Sequence, residues 1–147
     1  MPQYIMNILA KLEHPSLTKQ RHTPHRWVPK IYGQKVNMTP SADISELLSK
    51  EEATHIQRVV GSFIYYARAL DNNILTAVNE IATTQAPPTK RTKDATIVLM
   101  DYLYTHPEAN IWYKASDMQL YVDLYEAYII APKAKSRIAG YFHLRNK

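Results

Sequence analysis

The apolar residues of this chain change their spacing once, at Pro107. Upstream they recur at steps of three and four, downstream at steps of two. The first period folds into helices that bury one stripe, the second into strands that bury one face. The chain is therefore expected to be α+β: an N-terminal helix and a basic linker, a three-helix unit, then an incomplete antiparallel sheet. With 147 residues, 46% of them apolar, it can bury a core for one domain or two small ones.

Residues 3–13 place Ile5, Ile8, Leu9 and Leu12 at helical spacing, and His14-Pro15 stops the pattern because proline denies the helix its next turn. From Pro15 to Pro40 the chain carries Pro15, Pro24, Pro29 and Pro40, no apolar period, and the cations Lys19, Arg21, Arg26, Lys30 and Lys35. Residues 15–48 thus read as a basic, extended, poorly ordered linker. Order resumes at Ser49-Lys-Glu-Glu52, a capping box, followed by the stripe Ile56, Val59, Val60, Phe63, Ile64, Ala67 and Leu70. Asp71-Asn-Asn73 breaks this helix and caps a second one with Ile74, Leu75, Val78, Ile81 and Ala82, ending before Pro87-Pro88. Thr89 can cap a third, with Ala95, Val98, Leu99, Tyr102 and Leu103 inward. Short connections make these three helices, in residues 49–107, packed neighbours.

In residues 108–147 the period of two predicts strands over 110–115, 119–130 and 136–144, with a turn at Ser116-Asp-Met118. Ile138, Tyr141 and His143 depart from perfect alternation, which points to a bulge or a close contact at Gly140. Three strands leave exposed edges, and the chain ends at Lys147 before anything covers them, so a truncated sheet is expected.

The formal charge is +5, from 18 basic and 13 acidic residues. This mild excess is compatible with a polyanionic partner without requiring one. The absence of cysteine excludes disulfides, thiolate zinc sites and cysteine nucleophiles. No apolar run approaches the ~18 residues of a membrane span, and Met1-Pro-Gln-Tyr4 lacks the features of a signal peptide. A soluble intracellular protein, cytoplasmic or nuclear, with no membrane partner is expected.

Three basic clusters are candidates for phosphate contact. Lys133, Lys135 and Arg137 surround the turn between the last two strands, Lys90, Arg91 and Lys93 open the third helix, and the linker cations stand beside Trp27 and Tyr32. The turn cluster is the leading candidate, with exposed solubilising charge its alternative, and the linker reads first as a disordered tether. His14, His22 and His25 include a His-x-x-His spacing but no accompanying carboxylate, so they read as solvated linker histidines. Ser62 lies on a helix without a nucleophile elbow. Tyr65 and Tyr66 read as core and boundary packing.

The segment Val59-Val-Gly-Ser-Phe-Ile-Tyr-Tyr-Ala-Arg-Ala-Leu-Asp71 resembles the "VGSLLYL…TRPD" stretch of copia-type LTR-retrotransposon Pol polyproteins, downstream of the reverse transcriptase palm. The likeness continues in order through Ala77-Val-Asn-Glu-Ile-Ala82, Pro88-Thr89, Val98-Leu-Met-Asp-Tyr-Leu103 and Tyr121 to Phe142, and Gln3-Tyr-Ile5 with Ile8, Leu9 and Leu12 is similar to the helix that opens the region. The resemblance implies a thumb-like helical region of a reverse transcriptase running into the first strands of RNase H. In the parent, the helices would grip an RNA–DNA hybrid and the rest of the polyprotein would supply the polymerase palm upstream. This chain has no Asp-Asp pair, and two-metal phosphoryl transfer needs clustered carboxylates, so it is not expected to polymerise alone.

The family's first RNase H strand carries an aspartate that bridges two magnesium ions, with an aromatic three residues later. Matching Tyr128 to that aromatic puts Tyr125 in the aspartate position, and counting back from Gly140 gives the same register. A neutral phenol cannot replace a bridging carboxylate. Asp123 shares a strand face with position 125 but is displaced by nearly 7 Å, and Glu126 faces the other side. Asp123 is thus a weak metal candidate, with an ordinary surface carboxylate the alternative. No catalytic residue, no bound metal and no cofactor are expected in this fragment, although the parent family uses magnesium. The expected function is an inherited role in template-primer binding, the alternative a small basic nucleic-acid-binding protein derived from a retroelement.

Overall fold

The structure is a computed structural model that describes residues 3–15, 17, 19–26, 43–112, 114–131 and 135–145, excepting the side chains of 127–131 and 135. The described elements are α1 (Tyr4–Lys11), α2 (Lys50–Ala69), a short 3-10 turn (Asn72–Ile74), α3 (Leu75–Thr84), α4 (Lys90–Thr105), β1 (Gln119–Ala131) and β2 (Lys135–Arg145). The chain is α+β, with four helices and a two-stranded antiparallel sheet. It divides into two compact units, one holding all the helices and the other the sheet.

Local chemistry sets the helix boundaries. Ser49 Oγ accepts from the Glu52 amide at 3.2 Å while Glu52 Oε2 accepts from the Ser49 amide at 3.1 Å, which closes the expected capping box. Thr89 and Thr92 repeat the device at α4. Asp71 Oδ1 accepts from the Asn73 amide at 3.1 Å and starts the 3-10 turn that leads into α3. α1 ends with Leu12 in the capping position, one turn ahead of Pro15.

The core joins all four helices. Ile5, Leu9 and Leu12 of the N-terminal segment pack with Ile56, Val59, Phe63 and Tyr66 of α2, Ile74, Val78 and Ile81 around α3, and Leu99, Met100 and Leu103 of α4. Fully burying side chains of this size stabilises the fold by about 1.5–3 kcal/mol each, before chain entropy is set against it. The first helix is thus built into the same core as α2–α4. Tyr4 fastens it further: its ring stacks on Tyr66 with centroids 5.5 Å apart, and its hydroxyl donates to the Ser62 carbonyl at 3.0 Å.

Ala95, read from the sequence as inward, is exposed. The buried face of α4 is rotated and carries Thr92, Thr96 and Asp101 beside Val98, Leu99, Met100 and Leu103. An apolar count misses it because threonine can satisfy its own hydroxyl: Thr96 Oγ1 donates to the Thr92 carbonyl at 2.8 Å, leaving the methyl to pack.

The basic linker is anchored where it is described. The Arg21 amide donates to Thr105 Oγ1 at 3.1 Å, the Leu48 amide to the Pro88 carbonyl at 3.1 Å, and the Lys90 amide to the Glu46 carbonyl at 2.9 Å. Lys30, Lys35, Trp27 and Tyr32 lie outside the described residues.

Among the described residues, 110–112 and 114–115 form no strand, which corrects the first of the three expected strands. Its alternation reflects composition alone, since a strand exists only where a partner takes its backbone groups. Residues 116–118 form neither a turn nor a bend, which corrects the expectation there; Met118 takes a φ of 57° and its amide donates to Ser116 Oγ at 3.3 Å. β1 and β2 pair continuously from Gln119↔Arg145 to Ala127↔Arg137, through Tyr125↔Ala139 and Leu124↔Gly140. The irregularity falls between Ala127 and Ala131, so no bulge sits at Gly140. A close contact does, because a Cβ there would lie 3.0 Å from Phe142 Cε2 and 3.3 Å from Leu124 Cδ2.

The register sorts the hairpin into two faces. One carries Leu120, Val122, Leu124, Ile138, Phe142 and Leu144, all of them exposed. The other carries Tyr121, Asp123, Tyr125, Tyr141, His143 and Arg145.

Candidate nucleic-acid interface

Lys90, Arg91 and Lys93 occupy the first turn of α4, where all three are exposed. A helix N-terminus already carries partial positive charge, so cations there cost roughly 0.3–1 kcal/mol each instead of stabilising. Lys93 is relieved by Glu52 Oε1 at 2.6 Å. That bond, followed by the Ser49 amide, holds the Glu52 carboxyl below its ordinary pKa. Lys90 and Arg91 gain no such offset from the first turn, which contains no acidic residue. The cluster is a locus of positive potential beside a shallow groove of about 250 Å³ lined by Glu52, His55, Ile56, Lys93, Thr96, Ile97 and Met100.

The second expected cluster is only partly described. Arg137 is exposed on β2 with Ala127 as its register partner. Lys135 begins β2, its side chain outside the description, and Lys133 lies outside the described residues.

Tyr125 is 70% exposed and stands opposite Ala139. Asp123 shares its face, and Asp123 Oδ2 lies 3.8 Å from His143 Nδ1. Glu126, paired with Ile138, faces the other way, as the alternation requires. Among the described residues no three His, Cys, Asp or Glu side chains gather where they could hold a metal ion.

His14 corrects the reading of the histidines as solvated. Its side chain is 2% exposed, with Nε2 3.1 Å from Asp101 Oδ1 on α4. The chain after α1 turns back onto α4, so a position that looks like linker becomes core. His22 meets His106 edge-on with centroids 5.5 Å apart and remains exposed, as does His25.

Tyr66 is buried and Tyr65 is 60% exposed, the expected division between core and boundary. Burial pushes the phenols of Tyr66 and Tyr102 above the ordinary tyrosine pKa, so both stay neutral near pH 7.

The sequence reading missed an aromatic row on the hairpin, made by Tyr141, His143, Tyr121 and Arg145. Its signal was the period of two: Tyr141, His143 and Arg145 are alternate residues of one strand. They depart from apolar alternation because they belong to the polar face. Comparison with protein-family models, curated proteins and solved structures found no match.

Proposed function

We propose that the chain is a fragment of a copia-type retrotransposon Pol polyprotein whose inherited role is to hold the template-primer during reverse transcription, without catalysis of its own. The observation that carries the reading is the placement of Lys90 and Arg91, with Lys93 beside them, at the positive end of α4, in a first turn that contains no acidic residue. Lys90 and Arg91, which weaken their own helix, are accounted for when phosphates complete the site, while Lys93 is held by Glu52. The ordered resemblance, from Val59 to Phe142, supplies the identity of the nucleic acid: an RNA–DNA hybrid.

The hairpin register supports the same reading. It sets Leu124 opposite Gly140 and Tyr125 opposite Ala139, so the strand that aligns with the nuclease signature lies beside the Gly-Tyr-Phe strand. With tyrosine in the bridging position, magnesium has no anionic oxygen there. The remaining carboxylates of a nuclease, like the polymerase aspartates, would come from the rest of the polyprotein.

A gel shift of the whole chain on an RNA–DNA hybrid at about 50 and 200 mM salt tests this reading. Binding that weakens with salt is expected. Replacing Lys90, Arg91 and Lys93 together with glutamine should reduce the logarithmic salt slope by roughly one for each phosphate no longer neutralised. Absence of binding at the lower salt overturns the reading. The alternative, a small basic protein that persists for nucleic-acid binding on its own, gains from equal affinity for hybrid, RNA duplex and DNA duplex.

A further inference from the structure

We infer that the polar face of the β1–β2 hairpin is a stacking platform for single-stranded nucleic acid, with Tyr125 and Tyr141 meeting the bases and Arg145 the backbone. The inference deepens the nucleic-acid reading above and rests on it.

The rings form a row. Tyr141 and His143 stack with centroids 5.0 Å apart and planes 29° apart, and His143 and Tyr121 follow at 5.8 Å and 24°. The Arg145 guanidinium closes the row 5.8 Å from the centre of the Tyr121 ring. Cross-strand pairing explains part of this, since aromatic pairs steady a hairpin. It does not explain Tyr125, which is 70% exposed opposite the methyl of Ala139, or Tyr141, still 57% exposed. Rings this exposed bury only part of their area within the hairpin, which leaves π-face open to solvent.

Charge favours a nucleic-acid occupant. Residues 119–147 contain five basic residues, Lys133, Lys135, Arg137, Arg145 and Lys147, against Asp123 and Glu126. Glu126 belongs to the opposite face, and Asp123 stands beside His143. Arg137 and Arg145 occupy the two ends of the same face. Eight residue-to-residue steps of about 3.3 Å each separate them, a span on the order of 25 Å that accommodates a handful of nucleotides. Base stacking on exposed rings needs free π-faces, which a duplex has already used, so the ligand is a single strand or an unpaired end.

The test uses the full chain and a fluorescein-labelled 15-nucleotide single strand, with an RNA–DNA hybrid of equal length as comparison, read by anisotropy at low salt. Tyr125→Leu with Tyr141→Leu should weaken single-strand binding about tenfold or more and leave hybrid binding within about twofold. Tyr125→Phe with Tyr141→Phe, which keeps the rings, should restore it, and unchanged circular dichroism guards against unfolding. Hybrid binding without single-strand binding overturns this inference and leaves the proposed function standing. So does single-strand binding that survives the leucine pair, or that disappears with the hybrid's in equal measure. Failure to bind either ligand overturns both.

Discussion

His14 Nε2 lies 3.1 Å from Asp101 Oδ1, across 87 residues of sequence. The contact ties the end of the N-terminal segment to α4, and Asp101 holds a second partner, Arg21 Nε, at 3.7 Å. That nitrogen is buried and makes no hydrogen bond, so Asp101 is its nearby compensating charge. Asp101→Ala leaves the buried His14 imidazole and the buried Arg21 Nε without their partner, and should destabilise the helical unit by about 1–3 kcal/mol. His14→Ala removes one partner only and should cost less. A double-mutant cycle from urea titrations checks the pairing, with a coupling near zero the result that contradicts it.

Glu52 predicts a pH dependence of defined sign. Its carboxyl is held below 4.5 by Lys93 first and the Ser49 amide second. A carboxyl with a lowered folded value contributes stability that is complete above its unfolded pKa and lost as pH falls through the folded one. The stability difference between the native protein and Glu52→Gln should therefore be constant from pH 7 down to about 5 and shrink below it. Urea midpoints of both proteins between pH 7 and 3 measure this, and a difference that grows on acidification contradicts it.

Where a rule acts on neighbouring residues, sequence and structure agree. The Ser49–Glu52 capping box, the Thr89 cap, the break at Asp71 and the α2 stripe depend on residues within a turn of each other, so their chemistry is complete in the local sequence. What depends on distant partners was not legible. His14 looks solvated until α4 packs against it, and the contacts of Tyr4 with Tyr66 and Ser62 form only once α1 packs on α2. Residues 110–115 alternate correctly but pair with nothing in the described structure. In the candidate interface, the α4 cations and the helix start they occupy were both visible, but not the contact of Lys93 with Glu52 on α2, 41 residues away. The aromatic row needed the register, because His143 finds Tyr121 only after β1 and β2 have paired.

Gly140 is predicted to be replaceable. A glycine within a strand costs backbone entropy, roughly 0.5–1 kcal/mol relative to alanine. The atoms that a new Cβ would approach are the far ends of the Phe142 and Leu124 side chains, which are 65% and 70% exposed and free to rotate away. Gly140→Ala should therefore be neutral or stabilise the hairpin by about 0.5 kcal/mol. Amide hydrogen exchange along β2 is the measurement, and faster exchange in the variant would show that Phe142 cannot yield.

The same face of the hairpin predicts dye binding. Leu120, Val122, Leu124, Ile138, Phe142 and Leu144 are 44–78% exposed and contiguous by register. A patch of this kind, on the order of several hundred Å², binds amphipathic dyes in the native state. The native chain should therefore enhance 1-anilinonaphthalene-8-sulfonate fluorescence in buffer. Replacing Leu124 and Phe142 together by serine should remove at least about half of that signal. Far-ultraviolet helical dichroism should not change, because neither residue belongs to the helical core. A dye signal that persists in the variant with intact helices would place the dye elsewhere and mean that this face is covered in solution.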